Sequence, residues 1–286
     1  ICEIIENQYC HSVHKMVKYT KSRKAERMNR LFVRKRTDRR TQKQGADVLE
    51  QRNIAVTGLG QCVGTTFVAS SLAFFFREKG NSVTFCQCAQ PWRCSRLFYD
   101  AVAMEQRFTN RRFTDFYALI HQEEKLTGKK NMDSGINWIL PTPYDWDSGF
   151  ALDAAQRNRL VLNVRDETVI FDLETHKDWD GFLQDMDQVV VVVDPMPSAL
   201  IRASGRFSFL KRLELAGTPM TWIVNRMNSG VHRRQVTGYL KNRSPLWLEQ
   251  MDSALIYADE FFCRYHWENE EIRCKFMELF TKLSQF

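Results

Sequence analysis

The apolar residues of this chain gather into short continuous runs, and longer amphipathic stretches separate most of them. A run of roughly four to eight apolar residues bounded by polar turns is typical of a strand buried on both faces, as in a parallel sheet. The pattern predicts strands at Ile54–Thr57, Val83–Gln87, Ile136–Leu140, Thr168–Leu173, Gln188–Asp194 and Met220–Asn225.

Apolar residues also recur at helical spacing between these runs. The predicted helices are Gly64–Lys79, Pro197–Leu215, Val231–Leu240 and Glu268–Leu283. The last helix has one apolar face, which favours packing on the sheet over insertion into a membrane. Strands that alternate with helices predict an α/β fold, with a mostly parallel, doubly wound sheet and helices on both of its faces.

The most informative segment joins the first strand to the first helix. It consists of Gly60, Gln61, Cys62, Val63, Gly64, Thr65 and Thr66. A glycine-bearing loop between a buried strand and a helix is the layout of a phosphate-binding loop, in which backbone N–H groups and the helix N-terminus face an anion. The usual motif, G-x-x-x-x-G-K-[ST], has a lysine where this chain has Thr65.

From Ile54 to its C-terminus, the chain resembles the MinD/ParA family of P-loop ATPases, the deviant Walker A group of the SIMIBI class. The family's loop, K-G-G-x-G-K-[ST]-T, aligns without gaps and matches at Gly64 and Thr66. Its two lysines are replaced by Gly60 and Thr65. The resemblance implies a P-loop sheet, with ATP or ADP and Mg²⁺ as the cofactor and residues 60–66 around the phosphates.

Two later strands extend the resemblance. Val169-Ile170-Phe171-Asp172 is similar to the family's strand that ends in Asp, and Ile223-Val224-Asn225-Arg226 is similar to the strand whose Asn binds the adenine edge. The resemblance therefore implies that Asn225 contacts adenine. It also implies that Thr66 and Asp172 hold Mg²⁺, with Asp172 acting through water.

The chain departs from the family at the residues that promote hydrolysis. The water-activating Asp-x-Asp positions are Gln87 and Ala89, so the acid is missing. Phosphoryl transfer needs cations around the transferred group and a positioned water, so we expect ATP hydrolysis to be weak or absent. Arg93, Arg96 and Arg226 are the candidates to replace a lost lysine.

Each matched residue also has a purely structural explanation. Gly64 could end a strand-to-helix turn, and Thr66 could be a first-turn residue satisfied by the backbone. Asp172 could cap a helix near residues 178–185, and Asn225 could belong to a turn. Their common order along the chain favours the nucleotide-binding fold. Cys62, close to a helix N-terminus, is also a candidate redox-sensitive thiol.

The positive charge of the chain is concentrated near its beginning. The net charge is +7, yet thirteen lysines and arginines and only two acids lie between Lys15 and Lys43, so the remainder is acidic by about four charges. We therefore divide the chain into a basic, flexible or partly helical extension (1–52) and a P-loop NTPase-like α/β domain (53–286). The extension is either a solvated tail or an arm that binds DNA, RNA or an anionic membrane surface by phosphate contacts.

Cysteine usage and hydropathy indicate a cytoplasmic protein, with attachment to membrane or nucleoid as a further expectation. The eight cysteines include no C-x-x-C pair, and no apolar run is long enough for a membrane span. Cys86, Cys88 and Cys94 could form a metal site, although small buried residues explain them more simply. The chain begins without Met, which indicates either a fragment or a true start at Met16.

The resemblance implies a localisation, partition or scaffolding factor, similar to the TadZ/CpaE-like positioning proteins, with a protein partner and a homodimer as expectations. One alternative is an active ParA-type partition ATPase that uses an arginine in place of the loop lysine. Another is a nucleic-acid or membrane-binding scaffold without any nucleotide function. Two measurements would distinguish these three hypotheses: ATP turnover, and the dependence of nucleic-acid or membrane binding on residues 1–52.

Overall fold

A sheet of eight strands lies at the centre of the fold. The computed structural model describes residues 51–88, 113–140, 152–173, 175, 180–242 and 244–283. The strands are β1 (Arg52–Gly58), β2 (Val83–Gln87), β3 (Met132–Asp133), β4 (Ile136–Ile139), β5 (Thr168–Leu173), β6 (Gln188–Val193), β7 (Met220–Met227) and β8 (Leu246–Glu249). The predictions for residues 1–50, Ala89, Arg93, Cys94 and Arg96 lie outside the described residues, and the domain boundary after residue 52 stays a prediction.

Across the sheet the strands follow the order β3-β4-β2-β5-β1-β6-β7-β8. Neighbouring strands pair in parallel, except that β3 and β4 form an antiparallel pair at one edge. The predicted mostly parallel sheet is therefore confirmed. The carboxyl ends of its central strands meet along one edge, which is where ligands bind in sheets of this kind.

Helices cover both faces of the sheet, as predicted. They are α1 (Thr65–Glu78), α2 (Phe116–His121), α3 (Ala154–Asn163), α4 (Pro197–Arg202), α5 (Ser204–Leu215), α6 (Arg233–Leu240), α7 (Ser253–Phe261) and α8 (Glu270–Leu283). In the described part of the chain, the 3₁₀ turns Phe182–Asp185 and His266–Glu268 accompany them. The apolar sides of α1 and α8 share one core, whereas α2, α3, α5 and α6 contribute to the core on the opposite face.

Side-chain alternation in the central strands explains why they are apolar throughout. In β6, Val190 and Val192 belong to the core beneath α1 and α8, whereas the valines on either side of them face the opposite helices. In β1, Ile54 and Ala55 divide in the same way. A strand buried on both faces has no solvated side on which to place polar residues.

The prediction of one helix over Pro197–Leu215 is wrong. The chain forms α4 and α5 instead, which meet at Ala203 (φ −87°, ψ 6°). Pro197 begins α4 at a position where its missing N–H has no helical partner in any case. Beyond the junction, Gly205 is a poor helix former, so local propensity does little to keep the two helices continuous.

The predicted docking of the last helix is confirmed. After the His266–Glu268 turn, α8 buries its apolar face in the core that it shares with α1. The buried side chains are those of Ile272, Phe276, Leu279, Phe280 and Leu283. Within the described ranges, no helix is both long and apolar enough to cross a bilayer.

A buried histidine lies between the first helix and the C-terminal segment. The His266 ring meets the Phe67 ring edge to face at 4.9 Å. Its Nδ1 lies 3.4 Å from Asp259 Oδ2, and its Nε2 lies 4.0 Å from Glu260 Oε1. Burial lowers the pKa of His266, and the hydrogen bond and charge of Asp259 oppose this shift without reversing it.

We expect the free energy of unfolding to decrease as the pH falls below about 6.5, the pKa of an unperturbed histidine. The unfolded chain then binds the His266 proton more readily than the folded chain, so the slope approaches about 1.4 kcal/mol per pH unit at most. Above that pH the neutral His266 makes its full contribution to the free energy of unfolding. Denaturant titrations from pH 5 to 8 measure this pH dependence of the free energy of unfolding, with His266→Phe as the non-titrating control. Equal slopes for the two proteins would contradict the assignment.

Candidate functional site

Two close approaches of the backbone shape the loop between β1 and α1. Gly64, the N-cap residue of α1, is left-handed (φ 91°, ψ 31°), and a Cβ there would lie 2.5 Å from Nδ2 of Asn225. A Cβ on Gly58 would lie 2.5 Å from the carbonyl oxygen of Gly60. Both positions therefore require glycine, which lets the chain turn tightly from strand to helix.

The start of α1 offers hydrogen-bond donors at the carboxyl edge of the sheet. No side chain caps this end, and its first turn contains no acidic residue. The first N–H groups of an α-helix have no partner within the helix, and the helix dipole gives them a partial positive charge. Cys62, in the loop, is exposed and has a left-handed backbone (φ 55°).

Two consecutive residues near the end of β7 hold the loop. Nδ2 of Asn225 donates to the carbonyl oxygen of Val63 at 2.9 Å, and its Oδ1 accepts from the Arg226 N–H at 2.8 Å. Nη2 of Arg226 donates to the carbonyl oxygen of Cys62 at 2.8 Å, while its Nη1 donates to Oδ2 of Asp194 at 2.6 Å. Asn225 thus lies beside the loop and bonds to protein backbone through both ends of its side-chain amide, and the adenine contact that the resemblance implies stays a prediction.

Asp194 is a site residue that the sequence analysis did not single out. It follows the valine run of β6 and is largely buried beside Arg226, whose side chain remains half exposed. Its signal in the sequence was its place directly after a central strand, at the edge where ligands bind. The pair neutralises the Arg226 charge and anchors the loop to two neighbouring strands.

We expect Arg226→Ala to loosen the loop without unfolding the protein. The guanidinium bonds are half exposed, so their loss should cost about 1 kcal/mol locally. Backbone N–H groups of residues 61–64 should then exchange with solvent roughly fivefold faster. Arg202→Ala on the exposed face of α4 is the control. Unchanged exchange in the loop would show that Arg226 does not restrain it.

Thr66 and Asp172 come together as the sequence predicted. Oγ1 of Thr66, in the first turn of α1, donates to Oδ2 of Asp172 near the end of β5 at 2.7 Å. Asp172 is 2% exposed. The turn Phe182–Asp185 begins at Gly181 without a side-chain cap, so Asp172 does not cap this turn. A hydroxyl and a carboxylate oxygen are the hard donors that Mg²⁺ prefers.

Gln87 ends β2 directly beside Asp172 in the sheet register. It is 1% exposed, and within the described ranges its Nε2 has no hydrogen-bond partner. Its main-chain carbonyl accepts a hydrogen bond from the Tyr117 hydroxyl. The sequence analysis treated Gln87 only as the replacement of a missing acid, but it is also a buried polar residue at the site.

The cysteines beside Gln87 form a thiol pair. The sulfurs of Cys86 and Cys88 are 3.7 Å apart and buried. Burial raises the pKa of Cys88 well above its ordinary value, and Cys86 and Asp172 raise it further. Among the described residues, no group of three or more potential ligands could hold a metal ion. The alternative of a metal site also requires Cys94, which lies outside the described residues, so it stays a prediction.

A second arginine, Arg206, lies near the end of β1. The sequence analysis named Arg226 but not Arg206. Its guanidinium donates to Asp180 and, at 3.2 Å, to Oγ1 of Thr57 near the end of β1. Its charge is thus paired, like that of Arg226. Among the described residues, Arg226 contacts the loop and is paired with Asp194, and position 65 has a threonine in place of a lysine.

The described residues offer the kinds of donor and acceptor atoms that a magnesium nucleotide needs. A nearly buried carboxylate is costly without compensating charge or hydrogen bonds, and the Asp172 carboxylate accepts a hydrogen bond from Thr66. A cation bound there would balance the carboxylate, and the donors at the start of α1 suit phosphate oxygens. When bound, Mg²⁺ would neutralise phosphate charge.

Comparison with known proteins identifies structural relatives. No protein-family model and no curated protein matches the sequence. A ParA family ATPase from Chlorobium tepidum TLS matches with a TM-score of 0.67 and 12% identity, covering 83% of this chain and 99% of its own. The MinC:MinD cell division complex of Aquifex aeolicus matches with a TM-score of 0.64 and 14% identity, covering 82% and 96%.

A third relative contains a bound nucleotide analogue. A putative plasmid partition protein from Borrelia burgdorferi B31, bound to AMPPNP, matches with a TM-score of 0.58 and 15% identity. The match covers 82% of this chain and 99% of the other. At such identities the likeness concerns the fold, so what the loop binds has to be argued from its own residues.

Proposed function

We propose that this chain, which has the fold of the ParA and MinD ATPases, is a nucleotide-binding protein whose phosphate loop is eroded. The bond between Thr66 and Asp172, 2.7 Å long and beside the glycine loop, is the observation that carries the proposal. In this proposal residues 60–66 bind the phosphates of ATP or ADP, and Thr66 with Asp172 holds Mg²⁺. Asn225 contacts the adenine edge.

Hydrolysis in this proposal is weak or absent. Thr65 brings no positive charge to the phosphates, and Gln87 cannot accept a proton from water as a carboxylate does. Arg226 is the described candidate for replacing the loop lysine, but its guanidinium is already bonded to Asp194 and the loop. These contacts favour binding without turnover over an active partition ATPase.

The biological role that we propose is localisation, partition or scaffolding, in the cytoplasm or at the periphery of membrane or nucleoid. Support comes from the structural relatives, which include a cell division complex and a putative plasmid partition protein. Exposed aromatic residues on and after α7 support a protein partner or a homodimer, since such clusters are typical of contact surfaces. They are Tyr257, Phe261 and Phe262. The basic extension would add binding to DNA or an anionic membrane.

Calorimetric titration of the full chain tests the nucleotide proposal. ATP and ADP are titrated with and without Mg²⁺, and released phosphate is measured in parallel. We expect Mg²⁺-dependent binding with little or no turnover. Turnover that Arg226→Ala abolishes would instead favour the active partition ATPase. No binding at millimolar nucleotide would refute both and leave the scaffold alternative, which predicts that DNA or vesicle binding depends on residues 1–52.

A further inference from the structure

The side-chain amide of Gln87 is an unsatisfied polar group at the candidate site. It is 1% exposed, and its Nε2 donates to no group among the residues that the structure describes. A buried donor without a partner lowers the free energy of unfolding by about 1–3 kcal/mol, whereas an apolar side chain of the same shape has no such penalty. Such a group is well explained when a ligand supplies the missing acceptor.

The sheet register places the Gln87 side chain on the same face as that of Asp172. Gln87 and Asp172 are register partners on adjacent parallel strands, and the N–H of Cys88 continues the ladder by donating to the Asp172 carbonyl at 2.9 Å. Register partners project to the same face of a sheet, and adjacent strands lie about 4.8 Å apart. The side chains of Gln87 and Asp172 therefore project to the same face of the sheet, the face that α1 covers.

The backbone around Gln87 is fixed before any ligand binds. The ladder holds one side of the strand, and the Tyr117 hydroxyl donates to the Gln87 carbonyl. The side chain therefore begins from an anchored point at the carboxyl edge of β2. A pre-organised donor loses little conformational freedom on binding, so its hydrogen bond contributes more to affinity.

The strand order determines which part of a ligand would reach this amide. The loop emerges from β1, β5 lies next to β1, and β2 is one strand further on. Gln87 thus lies about 10 Å from the end of β1, or two strand spacings. Phosphates held at the loop that extend towards β5 would bring the terminal phosphate of a nucleoside triphosphate towards Gln87. A nucleoside diphosphate would end closer to the loop.

We propose that Gln87 is a specificity-determining residue that distinguishes nucleoside triphosphate from diphosphate by donating a hydrogen bond to the terminal phosphate. The inference rests on the proposed nucleotide site and adds a preference within it. A neutral amide donates to an anionic oxygen and takes no proton from water. The residue that replaces the missing acid therefore favours holding the triphosphate over cleaving it.

The test compares Gln87→Leu with the full-length parent chain in titrations with Mg²⁺-AMPPNP and Mg²⁺-ADP. Leucine has a similar size and removes the unsatisfied donor, so we expect the thermal midpoint to stay equal or to rise. A hydrogen bond to a charged group corresponds to roughly 10- to 100-fold in affinity. We expect a loss of that size for AMPPNP and less than a twofold change for ADP. Gln87→Glu, which adds a negative charge, should lose AMPPNP binding at least as strongly.

Other results would overturn the inference in distinguishable ways. Equal losses for both nucleotides would show that Gln87 only supports the fold of the site. Unchanged affinities for both would show that its amide does not touch the ligand. In either case the nucleotide site itself would stand. Failure of the parent chain to bind either nucleotide at millimolar concentration would refute the proposed function and this inference with it.

Discussion

Replacing Gly64 by alanine is expected to abolish nucleotide binding and to lower the free energy of unfolding by about 1–3 kcal/mol. The backbone at this position is left-handed, with φ at 91°, which an alanine adopts at a cost. Its Cβ would also lie 2.5 Å from Nδ2 of Asn225, the atom that donates to the Val63 carbonyl. Relief of this contact must move either the loop or the strand that anchors it.

Gly60→Ala is the matched control for this experiment. It lies in the same loop, its backbone is not left-handed, and its new Cβ would meet only the Val63 side chain at an ordinary 3.8 Å. We expect it to bind nucleotide within about threefold of the parent chain, since a compatible Gly→Ala change is nearly neutral or slightly stabilising. Calorimetry and denaturant titration of both variants measure the effects. Similar behaviour of the two variants would mean that the loop geometry described here does not determine binding.

The second large effect is expected from Asp172→Asn, which should remove the dependence of nucleotide binding on Mg²⁺. Asp172 is a nearly buried carboxylate, and its loss leaves Thr66 without the charged oxygen that would share the ion. The stability of the ligand-free protein should change little or increase, because an uncharged amide is less costly to bury than a carboxylate. Stabilisation by a ligand at a hundred times its dissociation constant is about 2.7 kcal/mol, and this increment should disappear from thermal unfolding curves.

Two substitutions of Thr66 distinguish the loss of the Mg²⁺ site from a change in the fold. Thr66→Ser keeps the hydroxyl that donates to Asp172 and should retain Mg²⁺-dependent binding. Thr66→Val keeps the shape but removes the oxygen, and should weaken binding roughly 10- to 100-fold, the usual loss when a metal site loses a supporting group. If the valine variant still bound nucleotide in a fully Mg²⁺-dependent way, the proposed ion site would be refuted.

The central strands could be predicted because their chemistry is local. Val83–Gln87 and Thr168–Leu173 have the bounds that the apolar runs indicated. A parallel strand buried on both faces must be apolar throughout, so its sequence alone identifies it. The same argument placed Asp172 and Asn225 at strand ends, and the parallel arrangement then brought them to one edge with Thr66.

The remaining parts of the site depend on contacts between distant residues. Nothing near Arg226 in the sequence indicates that it bonds to Cys62, since the two are 164 positions apart. From the sequence, Gln87 indicated only that an acid was missing, and the sheet register was needed to place it beside Asp172. The break at Ala203 was missed for a different reason: helical periodicity continues across it, and the discontinuity lies in the backbone angles of one residue.

The bonds from Asn225 and Arg226 to the loop also determine when the site can form during synthesis. The loop leaves the ribosome early, but the strand that fixes its carbonyl groups follows more than 160 residues later. Contacts of such large sequence separation form late, after the costly closure of the intervening chain. A nascent or truncated chain that ends before Met220 would thus contain the complete loop sequence and lack the bonds that shape it, so the ability to bind ligand would mark the completed fold.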